Sequence, residues 1–186
     1  MREHALFTIC SSQQKTSTRD KAVYSRRFPS SCSKLNPPMF TSRPIGFAHT
    51  PYKATREIPK GFGARHDIEG VLGILPEFGP GLTDIEGFSH LFVLWEFDRS
   101  NGFDLTARPP SDTRPHGVFA TRSPLRPNPI ALTVVELLRR DGLDLHVRGV
   151  DMLDDTPILD LKPYLSSIPA EKLRRGWLAE VEARQK

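Results

Sequence analysis

Between residues 40 and 165 the apolar positions fall in short runs broken by glycine and proline, a pattern that suits strands better than helices. Residues 44–49 predict a first strand closed by Thr50-Pro51-Tyr52, and residues 71–75 a second ended by Pro76. Residues 90–97 are apolar and aromatic, which predicts a buried strand. Residues 130–138 predict another, and Asp141-Gly142 supplies a hairpin turn. The returning strand places Leu143, Leu145 and Val147 on one face, and residues 157–161 complete the set. Helix is expected in two places: a turn or two around residues 82–85, and residues 169–183. In the second, Leu173, Trp177, Leu178 and Val181 form an apolar stripe and Pro169 opens the first turn. The expected fold is mainly β, a small antiparallel β-barrel with short helices and a C-terminal helix.

Composition agrees. Hydrophobic residues make up 38% and charged residues 26%, and no apolar run approaches the roughly 20 residues of a membrane span. Proline stands at 17 of 186 residues, near twice the usual level of about 5%, which argues against a helical bundle. The net charge of +4 hints at an acidic partner, but its distribution removes the hint. Residues 1–38 hold seven of the 26 basic and two of the 22 acidic residues, so residues 39–186 carry 19 basic against 20 acidic. That first segment also holds seven serines, both cysteines (Cys10 and Cys32) and no sustained apolar period. It reads as a basic, Ser-rich disordered extension, or as sequence upstream of a start at Met39, with an organelle transit segment as the remaining reading. The barrel is expected over residues 39–168 and the C-terminal helix over 169–186.

Several activities have no motif here. Gly61-Phe62-Gly63 lacks the third glycine of a dinucleotide loop, Gly79-Pro80-Gly81 lacks the Gly-Lys-Ser/Thr of a phosphate loop, and no G-x-S-x-G elbow occurs. The six histidines show no metal-ligand spacing, so no metal is expected.

Three segments are too particular to serve packing alone: residues 85–92, residues 108–130 and residues 149–164. In the second, a strand is expected to end at Ala120. Three prolines within six residues then stiffen a loop from which Arg122, Arg126 and Asn128 project. Rigid backbone carrying forked guanidinium groups suits planar or anionic ligands. Arg108, Arg114, Arg122 and Arg126 lie within 19 residues that contain one acid, Asp112, and form the local basic patch. The third segment gathers Asp151, Asp154, Asp155 and Asp160, with a turn expected at Asp154-Asp155-Thr156-Pro157.

At these residues the sequence resembles the TsaA-like, TrmO-type tRNA methyltransferases. The resemblance covers residues 43–165: P-I-G-F-A-H-T-P-Y-K, G-L-T-D-I-E-G-F-S-H-L, R-P-P, G-V-F-A-T-R-S-P-L-R-P-N-P-I and D-x-T-P-I-L-D-L-K-P-Y. It implies a β-barrel that binds S-adenosylmethionine without a Rossmann domain, works as a cytoplasmic homodimer, and methylates the exocyclic 6-nitrogen of threonylcarbamoyladenosine beside the tRNA anticodon. Alternatives are another substrate for the same fold, or a non-catalytic S-adenosylmethionine-binding module. Carried over by motif, the cofactor contacts fall on Pro59, Lys60 and Gly61, on Asp98 and Arg99, on Arg122 and Leu132, and on Asp154, Asp155, Thr156 and Pro157. Family members often have P-R-Q where this chain has Pro59-Lys60-Gly61, and histidine where it has Asp98. Arg108, Arg122, Arg126 and Asn128 are the expected tRNA contacts. A carboxylate would take the substrate proton, with Asp98, Asp154 and Asp160 as candidates.

Overall fold

A computed structural model describes residues 42–60, 67–165 and 176–184. The extension expected over residues 1–38, and Gly61 and Leu173, lie outside the described residues. The body comprises β1 (Gly46–His49), β2 (Glu69–Ile74), β3 (His90–Glu96), β4 (Thr106–Ala107), β5 (His116–Gly117), β6 (Ile130–Asp141), β7 (Asp144–Arg148), β8 (Thr156–Pro163) and the helix α1 (Trp177–Arg184). Six strands close a barrel in the order β1-β2-β7-β6-β3-β8, every pair antiparallel. The expected barrel is present.

Alternation sets what points inward. Leu72, Leu91, Val93, Trp95, Val135, Leu145, Val147 and Ile158 fill the interior, with Tyr52, Val150 and Met152 joining them from the connecting loops. Six strands enclose less space than the eight at which side chains just fill a barrel, so the interior is packed rather than hollow. A ligand must therefore sit on the wall or at an end. Gly46 is required where β1 meets β2, because a Cβ there would collide with the Gly73 carbonyl. Gly142, at φ +61°, lets β6 turn back into β7. On the outer wall Arg148 bridges its two cross-strand neighbours, Glu136 at 2.8 Å and Glu69 at 2.9 Å.

Three expectations change. The strand over residues 90–97 is buried on one face only: Phe92 and Leu94 point outward beside Val134 and Leu132, which are 39% and 44% exposed. No strand runs to Ala120, because β5 has only the two-residue β4 to pair with and the chain turns as a 3₁₀ segment at Val118–Ala120. The helical turns near residues 82–85 are also 3₁₀, at Pro76–Leu82 and Ile85–Gly87. Among the described residues no helix is long and apolar enough to cross a membrane.

Candidate functional site

At one end of the barrel the loops after β1, β3 and β7 meet those before β6 and β8. The turn between β7 and β8 organises this end. The Asp154 carboxylate accepts the Thr50 amide at 2.9 Å and the Lys53 ammonium. The Asp154 and Asp155 amides donate to the carbonyls of Tyr52 and Ala48, each at 2.8 Å. Asp155 adopts left-handed backbone, φ 60°, a conformation that aspartate tolerates better than most residues. The turn closes with the Thr156 amide on the Leu153 carbonyl at 3.3 Å, so the expected turn is present and Thr156-Pro157 opens β8. Lys53 foremost, then the Thr50 amide, holds the Asp154 carboxyl below the usual carboxylate range.

Arg99 ties a second predicted segment to this turn. Its guanidinium donates to the Asp154 carbonyl at 2.6 Å and stands 3.5 Å from the Asp98 carboxylate. Positions 98–99 and 154–157 are thus one feature of the surface. The Phe97 amide donates to the Pro129 carbonyl at 2.8 Å, which delivers the end of the proline loop to the same place. Leu132 lies farther along the wall, opposite Leu94, which in turn faces Asp160. Asp160 is turned to its own neighbours, accepting the Leu161 amide and pairing with Lys162 at 2.7 Å. Pro59 and Lys60 are exposed on the loop after β1.

The four arginines of the basic patch separate into two kinds. Arg126 spends its guanidinium on the loop itself, donating to the carbonyls of Val118 (3.1 Å) and Thr121 (2.9 Å). Arg114 grips Asp112 through its amide, Nε and Nη2, and reaches Glu180 on α1 at 2.9 Å. Arg108 and Arg122 are exposed and make neither hydrogen bond nor ion pair with the described residues. Asn128 is exposed, and its carbonyl accepts the Ile130 amide.

Sequence reasoning passed over three features. Asp112 is a hub with its side chain 1% exposed, within reach of Arg114, His116 (3.3 Å) and Arg184 (3.5 Å). Trp177 stacks on His116 at 4.1 Å and donates its indole N–H to the Ala120 carbonyl. His49 approaches Asp155 to 3.7 Å and, with Asp154, brings three ligand-type atoms within 4.8 Å of one another. An open cleft of about 370 Å³ lies beside them, lined by His49, Glu69, Gly70, His146 and Asp154, and shares only Asp154 with the predicted cofactor contacts. The third feature is interior. Trp95 donates to Thr133 (2.9 Å) and Thr133 to Asp151 (2.5 Å), while the Tyr52 hydroxyl is enclosed without a partner among the described residues. Burial first, and Asp151 second, pushes the Tyr52 phenol up. Asp112, Arg114 and His116 fall within five residues, but the remaining groups lie far apart in the chain, so no local spacing announces them.

A family model described as the tRNA-methyltransferase O N-terminal domain matches residues 47–170. A probable S-adenosyl-L-methionine-binding protein of Pyrococcus abyssi is 46% identical over 143 residues, 76% of this chain and 78% of that one. The tRNA (adenine(37)-N6)-methyltransferase of Escherichia coli is 33% identical over 167 residues, 77% of this chain and 71% of that one. A crystal structure of TrmO superposes with a TM-score of 0.62 at 33% identity, covering 74% of this chain and 64% of that one. This chain therefore spans less than two thirds of that solved chain.

Proposed function

Because the chain belongs to the tRNA-methyltransferase O N-terminal-domain family, we propose that it is an S-adenosylmethionine-dependent tRNA methyltransferase. Its substrate in this reading is the exocyclic 6-nitrogen of threonylcarbamoyladenosine beside the anticodon, and its place of work the cytoplasm. One observation carries the reading. The Arg99–Asp154 contact joins two motif segments 55 residues apart at the barrel end from which the loop bearing Arg122 leaves.

The donor set suits the cofactor. Asp98 and Asp155 offer carboxylates to a cationic, hydroxyl-bearing ligand, Arg122 offers an uncommitted guanidinium to a carboxylate, and Leu132 offers apolar wall. Bound there, S-adenosylmethionine would supply an electrophilic methyl group. The chain's part is to orient the two partners and receive a proton. Orientation matters because the ureido nitrogen is weakly nucleophilic and holding it in line provides much of the rate. Of the three carboxylates, Asp154 is the poorest base, since Thr50 and Lys53 hold its charge. Asp160 is paired with Lys162. Asp98, facing Arg99 only across 3.5 Å, keeps the freest lone pairs and is the proposed acceptor. A homodimer fits the outer wall, where Ile130, Leu132 and Val134 expose 41%, 44% and 39% of their surface in one strand.

The deciding experiment supplies labelled S-adenosylmethionine and tRNA that carries or lacks the threonylcarbamoyl group. Label entering only the modified tRNA is the expected result. Cofactor binding without transfer to either would select a second reading, a cofactor-binding module, which the name of the Pyrococcus abyssi relative favours.

A further inference from the structure

Phe119 is the most exposed large hydrophobic residue described, at 77%, and neither the fold nor the proposed chemistry uses it. It stands at the middle of the 3₁₀ turn Val118–Ala120, and that turn is fastened from several directions. Val118 is buried and its amide donates to the Leu105 carbonyl at 2.9 Å. The Thr121 amide and hydroxyl both donate to the Val118 carbonyl, at 3.1 and 2.9 Å. Arg126 donates to the carbonyls on either side of the turn, and Trp177 holds that of Ala120 at 2.9 Å. The ring is therefore presented to solvent by ordered backbone. The Arg126 guanidinium lies 5.9 Å from its centroid. Phe103 and Leu105 are exposed on the same stretch of chain, which also carries the uncommitted charges of Arg108 and Arg122.

An exposed aromatic face with Arg126 beside its ring, on a stretch of chain that also carries Arg108 and Arg122, suits a single-stranded nucleic acid: bases have π-faces to stack, and phosphates need positive charge nearby. We infer that Phe119 is a stacking platform for an unpaired nucleobase of the substrate RNA, with Arg108 and Arg122 supplying the positive field beside it. A second copy of this chain is a poorer occupant. Self-contact through the same patch would bring Arg108 and Arg122 of both copies together with only one exposed acid per copy, Asp104, to offset them. The inference rests on the tRNA reading and deepens it by placing one base of the RNA.

The test measures binding of the full-length protein to a fluorescent RNA hairpin with a single-stranded loop, across a salt series. Phe119→Ala should weaken binding roughly tenfold, the scale of one lost base stack, and leave the salt slope unchanged. Phe119→Trp should restore affinity to within about twofold of wild type. The Phe119→Ala penalty should vanish against a hairpin made abasic at one loop position. Unchanged hairpin binding in Phe119→Ala, or an equal loss against loop-free duplex, would overturn the platform. So would a fall in molecular mass by light scattering, which would identify a second copy as the occupant. Hairpin binding needs no methyl transfer, so the two readings fail separately. Stacking without transfer sinks the methyltransferase, whereas transfer with wild-type kcat and KM in Phe119→Ala sinks the platform alone.

Discussion

In the barrel wall every strand has a hydrogen-bonded neighbour on each side, and the inward residues pack into one apolar cluster. Residues 98–129, which leave the wall between β3 and β6, have only the two-residue ladder of β4 with β5. Polar clasps do there what the ladder does in the wall: Asp112 with Arg114, His116 and Arg184, Arg126 on the Val118 and Thr121 carbonyls, and Trp177 on Ala120. The wall is redundant, since losing one hydrogen bond leaves its neighbours in place. The excursion hangs on a few side chains, which leaves its backbone free to carry exposed arginines and an exposed phenylalanine. Proline suits such a segment because it fixes φ where no ladder needs its missing amide.

Leu145→Ala attacks the wall and should have the largest effect, a loss of about 2–5 kcal/mol in denaturant unfolding, because a fully buried methyl-rich side chain leaves a cavity. Cofactor binding by the remaining folded fraction should be normal; a collapse of binding at unchanged stability would contradict the division between wall and site. Arg122→Ala attacks the excursion and should do the reverse. The melting temperature should hold, since the side chain has no described partner, while kcat/KM for methyl transfer falls about a hundredfold. Near wild-type turnover would remove Arg122 from the site.

Trp177→Phe is gentler, keeping an aromatic ring on His116 and deleting the indole donor to Ala120. The loss of that hydrogen bond should cost about 1 kcal/mol, appearing as a several-fold rise in KM for tRNA with cofactor affinity and kcat retained. A change in kcat alone would mean that α1 acts on chemistry rather than on placement of the loop. The smallest effect is acid release of α1. The Asp112 carboxyl lies well below the usual carboxylate range, held there by the Arg114 amide first and its guanidinium next, against the opposing effect of burial. A lowered folded value stabilises the clasp above the ordinary carboxylate pKa of about 4, and this contribution fades as pH falls through the lower native value. Trp177 fluorescence should therefore shift only below about pH 4, and Asp112→Asn should abolish the shift. A transition well above pH 4, or one that survives in Asp112→Asn, would remove the Asp112 carboxyl from control of the clasp.

The segments that alternate were legible before any coordinates. Residues 143–147 announce a strand with one buried face, and Asp141-Gly142 announces its turn, because side-chain period and turn chemistry are local properties. The motif residues around positions 98–99, 122 and 154–157 were also legible, and so was the stiffness that proline gives the loop between them. Tertiary structure decided how these are spent. Of four neighbouring arginines it committed Arg114 and Arg126 to holding the excursion and left Arg108 and Arg122 without a partner among the described residues. Of three candidate bases it neutralised Asp154 with Lys53 and left Asp98 open. It turned Phe92 and Leu94 outward from a strand whose composition reads as buried, and set Trp177 against a carbonyl 57 residues away. A sequence fixes which groups can donate, accept or stack, but partners brought together by barrel closure have no local spacing, and only the closed chain assigns them.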